Sequence, residues 1–284
     1  MARYRKILVA IDGSDAGFHA LEEAFKLAID EKCWITVTSV APPYQGDLST
    51  TAVGNIQKAL KEPAERALAM AEQMAKKERM LIKTVCEDGE PFERIIDLAD
   101  AENCDIIVMG RTGKSNLERA LVGSVTARVI GYTYKDVLVV PKGTSAGWKS
   151  IVVASDGSKY STAAGARAID FASSYNGELN VISVVDVPPE FYGESPETVD
   201  RMIEKARGYA EGIKAQALAS GVKADAVVME GDAALSLIKL AADRKADVIC
   251  MGSHGRTGLR RLLMGSVAAK VIGLASCPVL IVKS

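Results

Sequence analysis

Ile7-Leu-Val-Ala-Ile-Asp12-Gly-Ser14 is written again as Ile151-Val-Val-Ala-Ser-Asp156-Gly-Ser158, an offset of 144 residues from Asp12 to Asp156. Each copy begins with a short apolar run and breaks at Asp-Gly-Ser. A run that is apolar at every position is buried on both faces, which is the condition of a central strand in a parallel sheet. Ile35-Thr-Val-Thr-Ser-Val40 recurs at the same offset as Leu179-Asn-Val-Ile-Ser-Val184. Gly110-Arg-Thr-Gly113, nine residues and Gly123-Ser124 recur 142 residues on as Gly252-Ser-His-Gly255, nine residues and Gly265-Ser266. The closing runs Val137-Leu-Val-Val140 and Val279-Leu-Ile-Val282 keep that second offset. Two residues are therefore lost between Val184 and Gly231, an interval holding Pro188-Pro-Glu-Phe-Tyr-Gly193, and loops accept such changes. The period is far longer than a solenoid repeat. It reads as duplication of a complete domain, 1–143 and 148–284, with residues 144–147 as linker.

Within each copy, short β-branched runs alternate with amphipathic stretches. In the first, strands are expected near Ile7–Ile11, Ile35–Val40, Leu81–Cys86, Ile106–Met109 and Val137–Val140. In the second, Val199, Met202, Ile203, Ala206, Ala210, Ile213 and Ala217 trace one helical face. A β-α-β-α series of this kind predicts an α/β domain, a parallel sheet with helices on both faces. Strand four, nearly as apolar as strand one, is expected beside it. Ligands of such sheets lie beyond the carboxyl ends of the strands where the winding reverses, so Asp12 should face Gly110 across a crevice and Asp156 should face Gly252.

Composition narrows the classes of partner. The chain of 284 residues is 48% hydrophobic and 25% charged, with a net charge of −1. A general binder of nucleic acid or of anionic membrane needs a large basic excess, so neither is expected. Five scattered cysteines form no CxxC pair or Cys/His cluster and read as buried reduced thiols. The apolar run behind the basic start, Ile7 to Ile11, is too short for a signal-peptide core, and no run reaches the roughly 18 apolar residues of a membrane span. A cytoplasmic protein is expected.

The duplicated glycines carry the chemistry. A strand that stops at a glycine loop and re-enters a helix presents backbone N–H groups to phosphate. Gly110, Gly113, Gly252 and Gly255 would let the chain turn where a Cβ would block that approach, and Gly123-Ser124 and Gly265-Ser266 would open helices whose free amides face the anion. The competing reading is a tight turn with a serine N-cap. The Glu or Gln of a capping box is absent three residues on, where Ala127 and Ala269 stand. Lys114 and Arg119, matched by Arg256 and Arg261, either neutralise phosphate or are solvated surface charge. Asp12 and Asp156 either accept from an adenine amino group or ribose hydroxyl, or cap the following helix. The main chain at Val40 and Val184 is placed to pair with an adenine edge. Of the two histidines, His254 lies in the second glycine loop opposite Thr112, and His19 has no counterpart, so neither is expected to be catalytic. The carboxylates Glu87, Asp88 and Glu90 suggest a metal cluster, but only Glu230 and Asp232 repeat, which favours a solvated turn. Gly110-Arg-Thr-Gly-Lys-Ser115 lacks the four residues between glycines that a P-loop needs, and no GxGxxG follows either first strand.

These elements together resemble the universal stress protein family in its tandem form: Gly-x-x-Gly-x9-Gly-Ser in both halves, the Val-Ala-x-Asp-Gly-Ser opening, and the closing Val-Leu-Val-Val-Pro-Lys and Val-Leu-Ile-Val-Lys-Ser. The resemblance covers almost the whole chain. It implies two five-stranded parallel sheets of order 3-2-1-4-5, of the adenine nucleotide alpha hydrolase-like kind. It also implies binding of ATP or another adenine nucleotide, with or without Mg2+. Asp12 and Val40 would meet base or ribose, and Gly110, Gly113, Gly123, Ser124 and Val125 would hold ribose and phosphates. Asp156, Val184, Gly252, Gly255, Gly265, Ser266 and Val267 would do the same in the second half. The family's pairing through its last strand implies an internal pseudo-dimer, and a homodimer of chains. Two departures stand in the first half: Asn116 replaces the glycine seen at Gly258, and Tyr132-Thr-Tyr-Lys-Asp136 replaces the Cys277-Pro278 form. The function expected is a nucleotide-dependent stress-response module. The alternatives are a slow ATPase or self-phosphorylating enzyme, for which no general base is evident, and an interaction scaffold with vestigial sites.

Overall fold

The computed structural model describes residues 4–43, 53–111, 122–188, 190–255 and 264–284. They divide into two compact units, one ending at Gly143 and the other beginning at Thr144. The first unit runs β1 (Lys6–Ala10), α1 (Asp15–Glu31), β2 (Trp34–Ala41), α2 (Val53–Lys77), β3 (Ile82–Asp88), α3 (Pro91–Ala101), β4 (Ile106–Gly110), α4 (Ser124–Tyr132) and β5 (Asp136–Val140). The second runs β6 (Ser150–Ala154), α5 (Lys159–Tyr175), β7 (Glu178–Val185), α6 (Glu190–Glu194), α7 (Pro196–Ala219), β8 (Lys223–Glu230), α8 (Ala233–Asp243), β9 (Val248–Gly252), α9 (Ser266–Leu274) and β10 (Val279–Val282).

Each unit holds five parallel strands. The first has the order β3-β2-β1-β4-β5 and the second β8-β7-β6-β9-β10. The first strand of each unit is central for the reason read from its sequence: Ile7, Leu8 and Val9, like Ile151, Val152 and Val153, are wholly buried. From β1 the chain winds outward through β2 and β3, then returns to β4 on the other side of β1. Right-handed crossovers therefore set α1 and α2 on one face and α3 and α4 on the other, and α3 packs on α4 as α8 packs on α9.

Two devices recur at the amino ends of the strands. Asp105, just ahead of β4, accepts from the backbone N–H groups of Arg5 and Lys6 at 2.6 and 3.0 Å. Its counterpart Asp247 accepts from Lys149 and Ser150 at 2.9 Å each. One carboxylate thus sets the stagger between the two central strands of each sheet by satisfying otherwise orphan donors. At the far ends of α1 and α5 the chain stops in the left-handed region, at Lys32 and Asn176.

The expected helical face of α7 is observed at Val199, Ala206, Ala210, Ile213 and Ala217, which are buried, while Met202 is exposed. Ile203, the remaining residue of that face, is half-buried. Among the described residues, no helix is long and apolar enough to cross a membrane.

All five cysteines are free thiols; Cys104, Cys250 and Cys277 are buried, whereas Cys33 and Cys86 are half-buried rather than enclosed. Burial pushes the Cys104 and Cys277 thiols up to about 11, and burial with the nearby Glu31 and Asp105 pushes Cys33 up to about 12. At pH 8 a thiol of that kind is ionised to about one part in a thousand or less. Iodoacetamide should therefore label Cys33, Cys104 and Cys277 slowly in the native protein and fully in about 6 M guanidinium, as read by mass spectrometry of peptides from the digested chain.

Candidate functional site

A cleft opens in each unit where the winding reverses, beyond the carboxyl ends of the first and fourth strands. The first has a volume of about 380 Å³ and the second about 230 Å³. The first brings together Asp12, Val40, Gly110, Gly123, Ser124 and Val125. The second brings together Asp156, Val184, Gly252, Gly255, Gly265, Ser266 and Val267. Gly113, Lys114, Asn116 and Arg119, and Arg256, Gly258 and Arg261, lie outside the described residues.

The floor follows from strand register. Ala10 pairs with Thr38, and the last bond on that side runs from Ile11 N–H to the Thr38 carbonyl at 2.9 Å. β2 continues to Ala41, whose carbonyl accepts from Gly89 on the β3 side. Alternation along the strand then turns both the N–H and the C=O of Val40 toward β1, past the point where β1 has ended. The second unit repeats this: Ser155 N–H donates to Ile182, Gly231 N–H donates to Val185, and the Val184 main chain faces the cleft between them. A donor and an acceptor on one residue edge are what the rim of a planar heterocycle pairs with.

The wall is the start of α4 and of α9. Gly123 and Gly265 are the N-caps, with backbone angles of −55°, 140° and −62°, 144°, and neither helix has a side-chain cap. Ser124 and Ser266 are the first helical residues, so the serine N-cap reading fails. The cap glycines' own N–H groups are engaged, donating to the Arg111 and Ser253 carbonyls at 3.1 and 3.0 Å. The amides left without an intrahelical acceptor belong to Ser124, Val125 and Thr126, and to Ser266, Val267 and Ala268. Three aligned N–H groups at the positive end of a helix dipole suit an anion.

Asp12 and Asp156 face this wall, and neither caps a helix. Ser14 caps α1 by accepting from Gly17 N–H at 3.2 Å, and Ser158 caps α5 by accepting from Ser161 N–H at 3.1 Å. Asp12 Oδ1 accepts from Ser14 N–H and Oγ–H at 3.0 and 2.6 Å, and Asp156 Oδ1 accepts from Ser158 N–H at 3.0 Å. The aspartates thus orient the capping serines through a two-residue turn. A Cβ on Gly255 would come within 2.8 Å of Asp156 Oδ2, which makes loop and carboxylate neighbours.

Gly110 and Gly252 line the clefts and are also required by packing. A Cβ on Gly110 would stand 2.9 Å from the carbonyl carbon and oxygen of Ala16, and one on Gly252 would stand 2.6 Å from Tyr160 Cβ and 2.9 Å from its carbonyl carbon. The fourth strand therefore passes directly under the first turn of α1 or α5, and that contact brings Asp12 and Asp156 close to the glycine loops.

Sequence reading missed the third side. Ile95 of α3 and Leu237 of α8, with Met109 and Met251, give each cleft an apolar wall. The signal was available, since Ile95 and Leu237 keep the 142-residue offset within a short amphipathic stretch. Glu90 and Asp232, at the starts of α3 and α8, pair with Arg128 of α4 and Lys270 of α9 at 2.8 Å each, tying the apolar wall to the amide wall in both units. Asp88, Glu90 and Asp232 are thus ion-paired, Glu230 accepts from the Tyr192 hydroxyl, and among the described residues no cluster could hold a metal by itself. The units differ beside the glycine loop. Arg111 follows Gly110, its guanidinium held below its ordinary value by burial. In the second unit Ser253, wholly buried, holds His254 Nδ1 at 3.1 Å, and the imidazole lies 5.7 Å from the Tyr160 ring.

Residues 3–141 and 147–283 each match the model of the Universal stress protein family. The chain belongs to that family. A universal stress protein of Mycolicibacterium smegmatis is 27% identical over 98% of this chain and 96% of its own length. One from Methanocaldococcus jannaschii is 40% identical over 141 residues, 48% of this chain and 82% of the relative. The solved universal stress protein of Archaeoglobus fulgidus superposes with a TM-score of 0.70 at 22% identity, covering 98% of this chain and 96% of that one, a likeness of fold.

In this universal stress protein the two packing glycines should tolerate no side chain. Gly110→Ala and Gly252→Ala are each expected to cost about 1–3 kcal/mol of stability, with Gly252→Ala the more damaging because Tyr160 Cβ cannot swing aside. Urea unfolding followed by circular dichroism measures both.

Proposed function

We propose that each unit binds one adenine nucleotide and that the protein acts in the cytoplasm as a nucleotide-dependent stress-response module. The observation that carries this reading is the uncapped start of α4 and α9 set opposite Asp12 and Asp156, built twice from the same spacing. The adenine would lie on the floor between the main chain of Val40 or Val184 and the apolar wall of Ile95 or Leu237. A buried heteroaromatic ring gains from apolar contact and loses unless its polar rim is paired. The carboxylate of Asp12 or Asp156, an acceptor, suits a ribose hydroxyl or the adenine amino group. The phosphates would accept from the amides of Ser124, Val125 and Thr126, or of Ser266, Val267 and Ala268. With no side-chain cap on either helix, no capping side chain among the described residues has to be displaced when an anion arrives.

A Mg2+ ion, where present, would be held mainly by phosphate oxygens, as Mg2+ in phosphate sites usually is. The five free thiols support a reducing compartment. A ligand that binds only the folded unit stabilises it by about 2.7 kcal/mol at a hundred times its Kd. Nucleotide level would in this way set how long each unit stays closed and ordered.

Isothermal titration with ATP is expected to give two equivalents per chain, and mass spectrometry of heat-released ligand to give an adenine nucleotide. Gly123→Val and Gly265→Val should each remove one equivalent, because both backbones lie where valine is allowed while its branched side chain covers the amides. Two equivalents retained in the double variant would refute the reading.

A further inference from the structure

Asp156 sits between two residues that are both pinned to one residue of α7. Its predecessor Ser155, buried, directs Oγ to the main-chain carbonyl of Tyr209 at 3.5 Å. Its successor Gly157, at φ +76°, lies flat against the Tyr209 ring: a Cβ there would fall 2.3 Å from Cε1 and 2.4 Å from Cζ. Only glycine satisfies both the left-handed backbone and the ring's approach. The turn that aims the carboxylate into the second cleft is therefore held from outside at both its ends. The first unit has the same helix and turn without these groups. Ile11 stands for Ser155, Asp12 for Asp156, and Ala67 for Tyr209 at the 142-residue offset that the helix keeps. Ala67 is buried, yet it carries neither ring nor any atom beyond Cβ.

We propose that Tyr209 is a positioning residue for Asp156: its ring and main-chain carbonyl brace the turn that carries the second cleft's carboxylate, whereas the first cleft has no ring at Ala67. The proposal rests on the nucleotide reading given above. A group already fixed in its bound geometry loses less freedom on association, so loss of this brace weakens binding in the second cleft alone. Loss of the ring would remove the packing against Gly157 and leave the Ser158 bond to Asp156 in place. In the first unit that bond is supplemented by the Ser14 hydroxyl, which donates to Asp12 as well.

The test uses the full chain with one cleft silenced at a time. With Gly123→Val in place, ATP titration reads the second cleft, where Tyr209→Ala is expected to weaken binding about tenfold and Tyr209→Phe, which keeps the ring against Gly157, to weaken it less. Ser155→Ala, a smaller change that keeps the ring, should weaken it about threefold. In the Asp156→Asn background Tyr209→Ala should add nothing, because its effect passes through that carboxylate. With Gly265→Val in place, the first cleft should be indifferent to Tyr209→Ala, which a general loss of stability would not allow. Unchanged affinity in both Tyr209→Ala and Ser155→Ala, or the same loss with and without Asp156→Asn, overturns the positioning role while leaving the nucleotide reading intact. No ATP bound in the Gly123→Val parent overturns both.

Discussion

A strand buried on both faces can present polar groups only at its end, and that constraint organises each unit of this protein. Beyond their first residues, Lys6 and Ser150, β1 and β6 offer nothing along their length: their side chains are apolar and their main chains are consumed by two neighbours. Where they stop, the winding reverses, and the helices leaving the first and fourth strands depart to opposite faces. The gap between them is not filled by either helix. Its floor is supplied by the overrun of β2 and β7, and its wall by the first turn of α4 and α9.

The closeness of the opposing sides has a single local cause. At Gly110 and Gly252 the fourth strand runs under the first turn of the helix that follows the first strand, with no room for a Cβ. Any side chain there would push that turn away and carry Asp12 or Asp156 with it. The glycine pattern and the aspartate are therefore coupled through packing, although about 100 residues separate them. Ion pairs of the same kind, Glu90 with Arg128 and Asp232 with Lys270, fix the far side by joining α3 to α4 and α8 to α9. Exposed pairs of this sort add little stability; their geometric effect is to limit how the two walls move relative to each other.

Duplication kept this frame and let its edges diverge. Arg111 faces Ser253 in the comparison of copies, Ala16 faces Tyr160, and Ala67 faces Tyr209. Each of these lies beside the cleft rather than in the sheet. The core tolerates only volume-conserving change, whereas the rim has solvent to absorb larger side chains. The same main-chain frame thus carries two clefts with different surroundings.

The strands, their parallel pairing and the central place of β1 were legible because continuous apolar runs have one stable home in an α/β domain. The members of each cleft were legible too, since doubling exposed the spacing of the glycines and aspartates. Three assignments were not. The Gly123 and Gly265 N–H groups donate to carbonyls of their own loops, Asp12 and Asp156 support capping serines rather than cap, and Gly110 and Gly252 make room for a helix as well as lining the clefts. The last of these joins segments far apart in the chain, and a partner that distant leaves no periodic trace. Residue order alone determined the two sheets and which end of them carries polar chemistry, since burial and alternation are properties of local pattern. Which amide is bonded, which glycine is crowded and what braces Asp156 were decided only when strands and helices met, because those are distances between segments that the chain does not encode as spacing.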